Sequence, residues 1–120
     1  MKNLILIFIL CLTGVAYSQN QPDSLYIVTY TTGSAWDASK QPNEQLWFKE
    51  HSANLSKLRK DGIIKAGARY ADKGIIVVTA TSLTAAKEII FADAAVTNKL
   101  FIADVQKLNV FYEGCLERPK

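Results

Sequence analysis

The sequence predicts an α+β domain with the element order β-α-β-β-α-β. In this ferredoxin-like arrangement two helices pack on one face of a four-stranded antiparallel sheet. Three observations predict it. Four segments are rich in β-branched and aromatic residues, two segments carry apolar residues at helical spacing, and turn-forming residues separate the two middle strands. The chain has 120 residues, which is the length of one domain.

The first 18 residues have the pattern of a secretory signal. Lys2 supplies a positive charge, residues 4–12 (LILIFILCL) are apolar, and the small residues Ala16 and Ser18 occupy the −3 and −1 positions of a cleavage site. We therefore expect cleavage after Ser18 and a secreted or periplasmic protein without stable membrane association. A retained N-terminal anchor is the alternative.

The mature chain is predicted to start with a polar leader over residues 19–24. The domain then spans residues 25–113 and is followed by a polar tail over residues 114–120. The tail contains Cys115, which is the one cysteine left after cleavage and cannot form an internal disulfide. A tolerated free thiol and an intermolecular disulfide both remain open.

The first strand and first helix are predicted over residues 25–32 and from Asn43 to about Lys60. The strand (LYIVTYTT) is almost continuously apolar, which favours a central position in the sheet. A loop over residues 33–42 joins the two elements. Asn43 is a suitable N-cap, and Gly62 suits the positive φ that follows a helix. One face of this helix carries Trp47, His51, Leu55 and Leu58.

The second half repeats the alternation of strand and helix. Strands are predicted over residues 63–70 and 74–81, with a hairpin turn at residues 72–74. Ser82 is expected to cap a second helix over residues 83–92.

An irregular segment (93–99) and a last strand within residues 101–112 complete the prediction. The chain is too short to cover the second face of the sheet. Because the first strand is apolar on both faces, an uncovered sheet would expose a large apolar patch. We therefore expect a homodimer with sheets packed face to face.

Composition and residue counts exclude several functions. Lys plus Arg is 14 and Asp plus Glu is 11, so the net charge is only +3 and the basic residues are scattered, which argues against nucleic-acid binding. One histidine and one remaining cysteine do not make a zinc site, and no glycine-rich phosphate loop is present. The sequence therefore indicates neither a metal nor another cofactor.

His51 is the only histidine and lies on the apolar face of the first helix. It is either a core residue with paired ring nitrogens or a general base, because imidazole titrates near neutrality. Asp93 follows the second helix and also has two interpretations. It is either the N-cap of a short turn or a carboxylate that orients the imidazole of His51.

Four short motifs occur in an order that points to a known family. They are a helical histidine segment (HSANLSKLRKDG), a small-residue turn (KAGA), a helix start after the hairpin (SLTAAKEI), and Asp93 followed by Phe101. On these motifs residues 26–112 resemble the YciI-like (YCII-related) family of small dimeric α+β-barrel proteins. The resemblance implies a dimeric ferredoxin-like fold, a catalytic pair of His51 and Asp93, and no cofactor.

The sequence leaves three functions in competition. One is a cofactor-independent enzyme in which His51 removes a proton from an acidic C–H or O–H of a small organic substrate. The second is a non-catalytic module that binds a small ligand, and the third is a protein-interaction module on the same fold. Trp36 is a candidate for the mouth of the pocket, although a plain surface or interface tryptophan fits at least as well. Arg69 is the nearest candidate for an anion contact.

Overall fold

The computed structural model describes residues 23–120 and contains a four-stranded antiparallel sheet. Its elements are β1 (Ser24–Thr32), a one-turn 3-10 helix (Pro42–Glu44), α1 (Phe48–Lys60), β2 (Ile64–Tyr70), β3 (Lys73–Ala80), α2 (Leu83–Phe91), α3 (Ala94–Thr97) and β4 (Phe101–Lys107). The strand order is β2-β3-β1-β4. The predicted α+β class is confirmed, and this sheet with its helices is compatible with a ferredoxin-like fold.

The predicted signal over residues 1–18 lies outside the described residues, as does the leader up to residue 22. Within residues 23–120, no helix is long and apolar enough to cross a membrane.

The central strand β1 divides its side chains between two faces of the sheet. Tyr26, Val28 and Tyr30 alternate along it, point to the same face and are buried in the core cluster. The same core contains Ala86 and Ile90 of α2. Both long helices therefore cover this face, since Leu55 of α1 packs against the same cluster.

Within residues 23–120 no helix packs on the opposite side of the sheet, and we call this side the open sheet face. On it Ile27 of β1 lies between Val77 of β3 and Gln106 of β4. Its large apolar side chains come from three strands: Leu25, Ile27, Ile75, Val77 and Ile102.

The start of the first helix differs from the prediction. Asn43 is not its N-cap; it lies inside the 3-10 helix, and α1 begins only at Phe48. The Gln45 side chain causes the separation, because its Nε2 donates to the carbonyl oxygens of Asp37 and Lys40 and its Oε1 accepts from the Asp37 N–H. The loop therefore closes on itself before α1 begins.

The end of α1 is as predicted. Gly62 has φ +75°, its N–H donates to the Arg59 carbonyl, and the Ile63 N–H donates to the Leu58 carbonyl. These two bonds form a Schellman motif, which ends a helix at a residue with positive φ.

Three further boundaries correct the prediction. Ala71 and Asp72, not residues 72–74, form the hairpin turn, because Tyr70 already pairs with Lys73. The segment 93–99 is not irregular throughout, since it contains α3. The last strand occupies Phe101–Lys107 and not the whole of residues 101–112, and its last pair with β1 joins Lys107 to Tyr26. The expected cap of α2 is confirmed: the Ser82 side chain accepts from the Ala85 N–H.

Candidate active site

His51 and Asp93 meet although 42 positions separate them in the sequence. The Nδ1 atom of His51 lies 3.0 Å from Oδ2 of Asp93. Both residues are buried, with 7% of His51 and 2% of Asp93 exposed. The first turn of α1 positions the histidine, and the junction between α2 and α3 positions the aspartate. The predicted contact between the helices is therefore present.

The Asp93 carboxylate also caps α3. Asp93 is therefore both an N-cap and a hydrogen-bond partner of His51, so its two interpretations from the sequence are compatible. Oδ1 accepts a hydrogen bond of 2.8 Å from the Ala95 N–H. Oδ2 accepts from His51 and, at 2.7 Å, from the side-chain amide of Asn54. One oxygen thus fixes the backbone of α3, and the other binds side chains of α1.

These hydrogen bonds determine the charge of Asp93. Burial by itself would raise the pKa of this carboxyl, but the hydrogen bonds from His51, Asn54 and Ala95 together lower the pKa below its ordinary value. Asp93 is therefore ionised at neutral pH. An ionised carboxylate only accepts hydrogen bonds, so Nδ1 of His51 must carry the proton that it donates. In the neutral imidazole, Nε2 is then the nitrogen with the free electron pair.

A cavity of about 780 Å³ lies beside the histidine. Part of its wall is aromatic, and the ring centroid of Phe101 lies 4.9 Å from that of His51 and 5.7 Å from that of Trp36. Tyr30 and Phe48 add two further aromatic side chains to the wall. Trp36 therefore does line the pocket, as one of the two interpretations of this residue expected.

The strand side of the cavity has little side-chain volume. Gly67 of β2 and Gly74 of β3 both line it. A Cβ added to Gly67 would lie 3.6 Å from Cγ2 of Ile76, which is ordinary contact, so the glycine leaves space that a side chain could fill. The hairpin end of β2 and β3 therefore forms the wall of the cavity that lies beneath α1.

Three cationic side chains also line the cavity: Arg69, Lys73 and Arg118. Lys73 already donates to Asp72 at 2.9 Å. Among residues 23–120, Arg69 and Arg118 make no ion pair, so both guanidinium groups are open to an anionic group of a ligand.

A close backbone approach fixes the loop that carries Trp36. The N–H of Gly33 donates to the Leu100 carbonyl at 2.8 Å, and a Cβ at Gly33 would overlap with the carbonyl oxygen of Lys99. Glycine is needed here because of this steric conflict. The contact attaches the loop next to Phe101, against which Trp36 packs.

Asn54 and Tyr30 are the site residues that the sequence analysis missed. Asn54 follows His51 by three positions, and this spacing places two residues on the same side of a helix, so it could have been selected. Tyr30 alternates with Tyr26 and Val28 along β1 and is buried with them, but nothing in the strand pattern indicates a place in the site. Its hydroxyl is buried and has no hydrogen-bond partner within residues 23–120.

Metal chemistry receives no support from the described part of the chain, where no group of three or more His, Cys, Asp or Glu side chains could hold an ion. Cys115 is an exposed free thiol in the C-terminal segment and does not line the cavity.

Comparison with known proteins adds no assignment. The chain matches no protein-family model, and no curated protein matches it.

Proposed function

We propose that this protein is a secreted, cofactor-independent enzyme of the YciI-like type, in which His51 removes a proton from a small organic substrate. The observation that carries the proposal is the hydrogen bond of 3.0 Å between Nδ1 of His51 and the buried carboxylate of Asp93, at the wall of a cavity. A core histidine requires no cavity beside it. A general base requires both a ligand site and a defined tautomer.

Asp93 has two functions in this mechanism. It selects the tautomer in which Nε2 accepts a proton, and its negative charge stabilises the imidazolium that forms. Asn54 holds the carboxylate oxygen from the other side and so restricts its movement. Nε2 of His51 has no hydrogen-bond partner within residues 23–120, so this atom is free to accept a proton from the substrate.

We further propose that the protein is a homodimer through its open sheet face. The central strands place Ile27 beside Val77 on that face, and Ile102 at its edge is 58% exposed. A second copy presents the same apolar surface, so the two sheet faces can pack against each other about a two-fold axis. This arrangement corresponds to the dimeric α+β barrel of the family that the sequence resembles.

Secretion is the remaining part of the proposal, and it rests on the signal pattern of residues 1–18. The intact mass of the exported protein tests it. A chain that starts at Gln19 supports cleavage, and a chain that retains Lys2 supports an anchor.

Proton abstraction is tested by isotope exchange. A panel of small carbonyl compounds, phenols and carboxylic acids is incubated with the protein in D₂O, and the loss of carbon-bound protons is followed by ¹H NMR. We expect accelerated exchange for at least one compound. His51→Gln should slow it by about 10²–10⁴-fold, the usual contribution of a general base. Asp61→Asn removes an exposed carboxylate just after α1 and should leave the rate unchanged.

The tautomer provides a second readout that needs no substrate. Because His51 is the only histidine, two-bond ¹H–¹⁵N correlation spectra report on its ring alone. Wild-type protein should show the Nδ1–H form, and Asp93→Asn should show a mixture. If a compound binds only when His51 is present, and no compound shows accelerated proton exchange, the result would favour the non-catalytic ligand-binding module. An unchanged tautomer in Asp93→Asn would contradict the orienting role of Asp93.

A further inference from the structure

The strand register places the side chain of Arg69 on the cavity side of the sheet. Arg69 of β2 pairs with Gly74 of β3, and Gly74 pairs with Tyr30 of β1. Residues that pair directly across antiparallel strands carry their side chains on the same face. Tyr30 belongs to the core cluster on the face that the helices cover, so the side chain of Arg69 leaves the sheet on that face too.

Gly74 leaves the position between Arg69 and Tyr30 without a side chain. A Cβ at Gly74 would lie 3.9 Å from the Cβ of Tyr30, which confirms that the glycine belongs to this row. Since neighbouring strands are about 4.8 Å apart, the backbones of Arg69 and Tyr30 are separated by about 10 Å. A ligand that lies over Gly74 therefore has Arg69 on its β2 side.

The imidazole of His51 lies toward the opposite end of the same row. Its ring centroid is 5.3 Å from that of Tyr30 in β1 and 4.9 Å from that of Phe101 in β4. The sheet order β2-β3-β1-β4 puts both of these strands beyond Gly74 when they are viewed from Arg69. The arginine and the histidine therefore face a ligand from two different sides.

Arg69 is an accessible cation with no ion pair among residues 23–120. Arg118 also lines the cavity without an ion pair, whereas Lys73 is paired with Asp72 at 2.9 Å. The carboxylate of Asp72 is thus offset by its own partner. Two guanidinium groups at this cavity remain without a compensating negative charge.

The two ends of the row differ in charge. The ionised carboxylate of Asp93 lies 3.0 Å from His51 and repels a second anion at that end. Arg69 attracts an anion at the β2 end. A ligand with one negative group is therefore oriented with that group toward Arg69 and its other end toward His51.

We propose that the substrate is an aromatic carboxylate, with its carboxylate held by Arg69 and its acidic proton directed toward Nε2 of His51. A guanidinium matches a carboxylate because two parallel N–H groups can donate to its two oxygens. The aromatic part is inferred from the rings of Trp36, Phe48 and Phe101 in the cavity wall. The position of the acidic proton rests on the proposed function of His51.

Two probes that differ by one charge test the anion site. 4-Acetylbenzoate and 4-acetylbenzamide have nearly the same shape, and both carry a methyl ketone with acidic protons. Isothermal titration calorimetry measures the binding of each. We expect the wild-type protein to prefer the benzoate. Arg69→Gln should weaken benzoate binding by about 10-fold or more, the effect of losing a hydrogen bond to a charged group, and should leave the benzamide unchanged.

Arg59→Gln is the matched control. It makes the same substitution at an exposed position in the last turn of α1 that does not line the cavity. Both variants lower the net charge equally, so a general effect of charge would weaken benzoate binding in both. We expect Arg59→Gln to bind the benzoate like the wild type. Thermal melting checks that each variant is folded.

Three outcomes overturn the assignment: no binding of the benzoate, equal affinity for the two probes, or equal benzoate affinity in wild type and Arg69→Gln. Exchange of the methyl protons of the benzoate in D₂O separates this result from the proposed function. Exchange that needs His51 while benzoate affinity ignores Arg69 removes only the anion site. Benzoate affinity that needs Arg69 without any exchange removes the catalytic role of His51 and keeps the anion site.

Discussion

At the scale of single residues, Asp93 connects the stability of the fold with the chemistry of the site. Its Oδ1 holds the first turn of α3, and its Oδ2 holds His51 and Asn54 of α1. Removal of the charge therefore affects an anchor between two helices as well as the orientation of the imidazole. A charge-assisted hydrogen bond from a buried donor is stronger than a neutral one, so this anchor should make a measurable contribution to folding.

The pH dependence of unfolding tests this anchor. The pKa of Asp93 is lower in the folded protein than its ordinary value of 3.8, so the ionised form stabilises the fold. That contribution is complete well above pH 3.8 and is lost as the pH falls through the depressed folded pKa. We expect Asp93→Asn to lower the free energy of unfolding at neutral pH and to flatten its fall in acid. Urea unfolding from about pH 7 to about pH 2 measures both effects.

The matched variant is Asp23→Asn, because Asp23 is exposed and its side chain makes no ion pair within residues 23–120. It should follow the wild-type curve. Parallel acid curves for Asp93→Asn and wild type would show that the carboxylate does not stabilise the fold through its charge.

At the scale of elements, the sequence was most informative where local chemistry alone decides the structure. Ser82 and Gly62 were found at the helix ends where they were expected, because a cap or a positive φ depends on a few neighbouring atoms. The predicted start of α1 was wrong, because Gln45 closes the preceding loop through hydrogen bonds with the backbone of Asp37, eight positions away. Trp36 was a candidate for the mouth of the pocket, but the position and shape of the cavity could not be predicted, since they depend on how α1 lies over the glycines of the hairpin strands.

The end of α1 leads to a prediction for this element. An alanine at position 62 meets no atom within 4 Å, but it must adopt φ near +75°, which is unfavourable for a residue with a Cβ. Gly62→Ala should therefore lower the free energy of unfolding by about 1 kcal/mol and leave the His51 tautomer unchanged. Gly114→Ala is the control because that position is also open and has no positive φ. Urea denaturation compares them, and equal stability of both variants would contradict the strain at position 62.

At the scale of the whole molecule, the two faces of the sheet are used differently. Helices cover one face and place the candidate site above it, whereas the open sheet face presents aliphatic side chains from three strands. A contiguous apolar surface of this kind is uncommon on a monomer. Since the cavity and the open sheet face lie on opposite sides of β1, dimer formation would leave His51 accessible to a substrate.

The proposed dimer gives the last prediction. Stable interfaces bury about 800 Å² on each partner, and charge at their centre strongly opposes association. Ile27 lies on the open sheet face in one of the two inner strands, so Ile27→Lys should convert a dimer into a folded monomer. Leu46→Lys is the control, because Leu46 is 74% exposed in the loop before α1. Sedimentation velocity gives the mass of each protein, and circular dichroism confirms folding. A monomeric wild type at micromolar concentration, or a dimeric Ile27→Lys, would mean that the open sheet face is not the dimer interface, and a protein partner would then be the next candidate for its cover.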